Sequence, residues 1–235
     1  MILNVIVNGV WILMFKISDI GFTLSVRRYG EHSFILSVLT QNNGKVTGLL
    51  RGKRHPLVGN FISLNWQARL SEHLGTISYE DINSLSALYM DDRKRLACIS
   101  ALTELLNTLL PERENVSVFY EQLVSFTRHL NDEDWLKHYI LLEVSLLKTI
   151  GFGLDLTTCA AGGNSNDLAY VSPKTGRAVS KEKGLPYHDK LLHLPKFLWQ
   201  NCEAETDELR KGLYLTGFFL SQHIKEMPLS RSKLL

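Results

Sequence analysis

Cysteine is scarce in this 235-residue chain: Cys98, Cys159 and Cys202 are odd in number, far apart and without a Cys-x-x-Cys pair. That excludes a disulfide framework and offers no zinc signature, so the three read as buried, inert thiols in a reducing, cytoplasmic compartment. Net charge is nearly absent at +2, too little by itself to announce a nucleic-acid binder. Long apolar runs are missing too. Met1–Phe15 carries no charge but is interrupted by Asn4, Asn8 and Gly9. It has neither the ~20 apolar residues of a membrane helix nor the basic start and small-residue cleavage site of a secretory signal, so no membrane partner is expected. GxGxxG after a strand, GxxxxGK[ST], HExxH and GxSxG do not occur. The eight histidines are scattered; His188 and His193 are the closest, five apart, with no acid or cysteine at ligand spacing. Cys159, beside Ala160-Ala161-Gly162-Gly163, has no base assigned by the sequence. No catalytic residue, metal or cofactor is therefore expected, and the chain does not read as an enzyme.

Hydrophobic residues at 45% and charged residues at 21% describe a globular chain able to bury a core. Residues 20–84 carry β signals. In Ile20–Arg28, Phe22, Leu24 and Val26 alternate with Thr23, Ser25 and Arg27, the period of a strand with one buried face. Phe34–Thr40 follows, then the Asn43-Gly44 turn, where both residues tolerate positive φ, and the return strand Lys45–Leu50. Arg51–Gly59 is a loop, and Phe61–Leu70 and Thr76–Ile82 are two more strands. Five short antiparallel strands in this space fit a small closed barrel or sandwich. Met14 opens a natural start for the first strand, which leaves residues 1–13 as a start-site artefact or a loose extension.

From residue 85 the apolar period lengthens. Leu96, Ile99, Leu102, Leu105, Leu106 and Leu109 predict a helix over 91–110, stopped by Pro111. Asn115 is placed to cap a second helix to about Leu130. Asn131 or Asp132 is placed to cap a third, whose Trp135, Tyr139, Leu142, Leu146 and Ile150 form one stripe ended by Gly151. Residues 151–188 are irregular, with a short strand pair at Ala169–Val171 and Arg177–Val179; helices resume at 189–201 and 204–226. The predicted domains are residues 14–84 and 85–235.

Charge is unevenly placed. Residues 1–80 hold eight Lys/Arg against four Asp/Glu, whereas the remainder holds 18 against 20. Arg27-Arg28 ends the first strand before Tyr29-Gly30, Lys45 opens the return strand, and Arg51-Gly52-Lys53-Arg54 sets three permanent charges around a glycine. Such a loop can approach a phosphate backbone closely, releasing counterions and giving affinity without sequence reading. Stacking on aromatic faces would add to it; of Tyr29, Phe34, Phe61, Trp66 and Tyr79, Tyr29 in its turn is the one expected outside the core.

Leu24–Arg54, with Tyr29-Gly30-Glu31, Thr40, Gly44-Lys45 and Gly52-Lys53-Arg54, resembles the opening barrel of the RecO family. Leu64–Glu80, Leu141–Gly163, Tyr170–Ser180 and Pro228 continue the likeness in order, over about residues 15–231 and in the manner of the alphaproteobacterial branch. The resemblance implies an α+β protein: an N-terminal OB-fold barrel followed by an all-helical domain. It implies a recombination mediator that binds single- and double-stranded DNA, anneals complementary strands and helps load RecA. Its implied partners are RecR, RecF and the C-terminal tail of single-strand-binding protein, at the nucleoid. Carried over by position, Arg27, Arg28, Lys45, Arg51, Lys53 and Arg54 become the phosphate contacts. Some family members hold zinc through four cysteines after the third-helix turn; here Cys159 stands alone, so no zinc site is expected. A different reading keeps the barrel as a protein-interaction scaffold that does not touch DNA.

Overall fold

The computed structural model describes residues 2–7, 10–70 and 73–235, with side chains from Met14 onward. Strand β2 (Val10–Arg28) organises the N-terminal unit. Its Phe15–Phe22 stretch pairs antiparallel with β5 (Phe61–Ala68), and its Gly21–Arg28 stretch pairs antiparallel with β3 (Ser33–Thr40). One strand can serve two neighbours only by bending, and a register slip between Thr23 and Ser25 provides the bulge. β3 turns at Gly44, φ +64°, into β4 (Gly44–Arg51). β4 lies parallel to β6 (Thr76–Asn83), and β6 pairs back to β5. The circuit β2-β3-β4-β6-β5-β2 is closed, and this is the expected OB-type barrel. Strand alternation sends Leu36, Val38, Val46, Leu50, Ile62, Leu64, Trp66 and Ile77 into one core.

The side chains of residues 1–13, read from sequence as a loose extension, lie outside those described. The backbone of β1 (Ile2–Val7) pairs with Val10–Phe15 of β2.

After the short α1 (Leu85–Leu88), α2 (Arg93–Leu109) begins at Asp92, whose carboxylate accepts the N–H groups of Lys94 and Arg95. Its buried face, Cys98, Ile99, Leu102, Leu105 and Leu106, packs with the barrel, where Ile99 lies against Gly59. This helix belongs to the barrel's compact unit, which runs through Tyr120 and takes in Pro228–Leu234.

The second unit comprises Glu121–Met227 and Leu235. It contains most of α3 (Ser117–His129), α4 (Trp135–Thr149), the four-residue α5 (Lys181–Gly184) and α6 (Thr206–Ser221). It also contains a small sheet of β7 (Leu168–Val171), β8 (Ala178–Ser180) and β9 (Leu192–His193), ordered β8-β7-β9. α4 and α6 bury Leu142, Leu146, Leu215 and Phe219, and the Thr216 hydroxyl donates to Glu143. The helix predicted at 189–201 does not form. 3₁₀ turns at Leu185–Lys190 and Lys196–Leu198 flank β9 instead, because Pro195 steers Leu194 away from helical backbone and β7 pairs with Leu192–His193. Among the described residues no helix is long and apolar enough to cross a membrane.

Candidate nucleic-acid interface

Register places the basic residues. Arg28 lies opposite Phe34, which lies opposite Leu50; Ser33 lies opposite Arg51. The Gly52 N–H donates to the His32 carbonyl at 2.9 Å, so the Tyr29–His32 turn and the loop after β4 share one end of the barrel. Tyr29, Arg27, Arg28, Arg51, Lys53 and Arg54 are all exposed there, Tyr29 at 59%. Arg51, Lys53 and Arg54 make no ion pair among the described residues. Gly52 has φ +121° and open space where a side chain would stand, so the loop needs its glycine for backbone conformation and not for room. Arg27 and Arg28 differ in phase along β2: alternation puts Arg28 in phase with the inward Val26 at the barrel mouth, where its Nε donates to the Gly30 carbonyl at 3.3 Å. Arg27 lies on the outer face opposite Ile35, which pairs with Leu49.

Beside the loop runs a groove of about 950 Å³ walled by Arg51, Lys53, Arg54, Gln67, Ser78 and Tyr79. Glu80 and Asp81 line it too. Burial pushes the Tyr79 phenol above its ordinary value and Asp81 adds to this, while Arg54 opposes. The polar strand residues Gln67 and Ser78 were not expected as groove walls; only the outward phase of β5 and β6 could have suggested them.

Lys45 is elsewhere. Its ammonium donates to the Asn107 carbonyl in the last turn of α2 at 2.8 Å and sits 3.8 Å from Glu112. Burial lowers its pKa, with Glu112 pulling the other way. A cation satisfying a helix C-terminus is a structural element, so Lys45 separates from the cluster in which sequence order had placed it. The aromatic candidates divide similarly: Phe61 and Trp66 are buried, Phe34 packs on His55 at 4.5 Å, and Tyr29 alone stands well out.

The residues around Cys159 do not fit a zinc ion. Among the described residues it belongs to no group of three or more metal-ligating side chains. Its Sγ receives the Ser180 N–H at 3.2 Å and stands 3.5 Å from Ser180 Oγ. Burial pushes this thiol up, but hydrogen bonds from the Ser180 hydroxyl and from the Ser180, Ala161 and Gly163 amides outweigh it and bring the pKa down from 9.0 to about 7. A depressed thiol pKa favours the thiolate in the fold. The resulting stability is present above the ordinary value and is lost as pH falls through about 7. Followed by thiolate absorbance in a Cys98→Ala/Cys202→Ser background, Cys159 is expected to titrate near neutrality and Ser180→Ala to move the midpoint upward; an unmoved midpoint would remove Ser180 from this account.

Two family models match the chain: the recombination protein O N-terminal domain over residues 14–85 and its C-terminal domain over residues 90–233. The chain is 39% identical over 234 residues to the DNA repair protein RecO of Cereibacter sphaeroides strain KD131, covering 94% of this chain and 98% of that one. It is 42% identical to that of Mesorhizobium japonicum, covering 88% and 85%, and 39% identical to that of Anaplasma marginale strain St. Maries, covering 88% and 90%.

Proposed function

Since the chain belongs to the recombination protein O family and so acts in DNA repair and recombination, we propose that its barrel end is a DNA-binding surface on which complementary single strands are held and annealed. The observation that carries the reading is the exposed Arg51, Lys53 and Arg54, without an ion pair among the described residues, beside exposed Tyr29. Two complementary strands repel each other; a basic surface lowers that repulsion and raises their local concentration, with no nucleotide site required. Arg27 and Arg28 extend the surface, and Tyr29 offers a face for a base. The OB-fold ordinarily binds oligonucleotides over its second and third strands, here β3 and β4, and the adjoining loops. Lys45 is no part of this interface.

The protein acts without catalysing a covalent step, as a mediator that assists RecA loading on DNA covered by single-strand-binding protein, with RecR and RecF. The acidic, apolar tail of single-strand-binding protein suits a groove of about 450 Å³ in the second unit, where Lys190 and Arg210 flank Leu192, Tyr214 and Phe218. Lys211 contributes less, being held by Asp207 at 2.7 Å and Glu208 at 3.2 Å.

A scaffold reading has one observation in its favour: Glu80 and Asp81 line the groove beside Arg51–Arg54 and would repel a phosphate chain there. Strand-annealing assays with labelled complementary oligonucleotides decide. Annealing is expected without ATP and should decline steeply with salt. Failure to retain a single-stranded oligonucleotide on a filter even at low salt would favour the scaffold.

A further inference from the structure

In the second unit, α3 ends on His129 and α4 begins at Trp135, and the turn between them brings together side chains that the sequence keeps apart. One nitrogen each of His129 and His138 and one Asp132 oxygen lie within 4.8 Å of one another, the one such group of three among the described residues. His129 Nδ1 is 2.7 Å from Asp132 Oδ2. The two imidazoles stack 4.0 Å apart and 5° from parallel, and Asp134 Oδ2 lies 3.4 Å from His138 Nε2. Parallel rings carry their in-plane lone pairs side by side, so one imidazole must turn out of the stack before both can meet one ion. Next to them opens a cavity of about 340 Å³ walled by Gln122, Ser125, Phe126 and Ser145.

We propose that His129, Asp132 and His138 form a binding site for a divalent transition-metal ion of the zinc class, with water in the remaining position. Two imidazoles and one carboxylate are a donor set for borderline ions, and three protein ligands leave a tetrahedral centre one open place. All-oxygen ions such as Mg²⁺ are poorly served by it. Bonds of about 2.0–2.1 Å put tetrahedral ligand atoms roughly 3.4 Å apart. The three atoms lie within 4.8 Å of one another, with His129 Nδ1 and Asp132 Oδ2 at 2.7 Å; reaching tetrahedral spacing needs rotation about the side chains' own bonds, which their partial exposure permits. Asp134 serves as the outer carboxylate that orients a ligating imidazole. The ion would tie the end of α3 to the start of α4, and it shares no residue with the Cys159 region.

The test is a Co²⁺ titration of the metal-stripped full chain carrying Cys159→Ser and Cys202→Ser, read by the visible ligand-field absorption of bound cobalt. Saturation at one equivalent and displacement by Zn²⁺ are expected. His129→Ala and His138→Ala should each weaken binding by at least about tenfold, the scale of losses at metal sites. Zn²⁺ should raise the melting temperature of the parent and not of the double variant. His129→Gln and His138→Gln repeat the comparison if an alanine variant fails to fold. No saturable absorption, or equal affinity with both histidines replaced, would overturn the site.

Discussion

Replacing Arg51, Lys53 and Arg54 together by alanine is expected to weaken single-strand binding roughly a hundredfold at 0.1 M salt. Each cation that neutralises a phosphate contributes about 0.7 to the slope of log affinity against log salt on single strands, so three contribute roughly 2, and at 0.1 M that slope corresponds to two decades. Fluorescence anisotropy with a labelled oligonucleotide at several salt concentrations measures both quantities. Lys45→Ala provides the contrast. It sits in the same sequence cluster but its ammonium is bound to Asn107 and faces Glu112, so it should leave the slope unchanged while lowering thermal stability. A triple variant that folds and keeps its slope would move the DNA surface away from this loop; a Lys45→Ala variant that loses slope would return Lys45 to it.

Trp66→Ala should cost the barrel about 3–5 kcal/mol, the range for deleting a buried large aromatic. The indole is 1% exposed in the core. Its N–H is shared between the carbonyls of Thr47 at 3.1 Å and Leu74 at 3.0 Å, and the Arg113 guanidinium covers the ring at 3.9 Å. Gly75, φ +65°, closes against the same ring, where a β-carbon would come within 2.5 Å. Alanine thus leaves a cavity, two carbonyls without their donor and a cation without its ring. With two compact units a single unfolding free energy is ill-defined, so amide exchange is the better readout. Protection should fall across β4–β6 and persist in α4 and α6. Uniform loss, or none, would contradict the assignment of Trp66 to the barrel alone.

Strand alternation and the Asn-Gly turn were enough to place the barrel strands, because period two and positive-φ residues are local signals. Closure of the barrel was not local: it depends on β2 pairing at once with β3 and β5, and the Thr23/Ser25 slip that permits this leaves no mark in composition. The 189–201 stretch has apolar spacing compatible with a helix, yet tertiary pairing with β7 captured Leu192–His193. Within the site, Arg51-Gly52-Lys53-Arg54 was visible as a run of residues. The separation of Arg27 from Arg28 follows from their phase in β2, and the removal of Lys45 depends on a carbonyl 62 residues away. The three side chains at the α3–α4 turn were invisible for a related reason. His188 and His193 are nearer in sequence, whereas His129 and His138 meet only because the chain reverses between them.

The barrel's unit takes in Pro228–Leu234 from the far end of the sequence, where the 3₁₀ turn Arg231–Lys233 packs on α2 and Leu234 is buried. During synthesis the barrel strands and α2 leave the ribosome well before that turn exists. The unit can form its sheet early, but the patch that Leu234 covers stays open until residues 228–234 have been made. Contacts so distant in sequence close late and slowly. Until then the nascent barrel carries that patch unsealed.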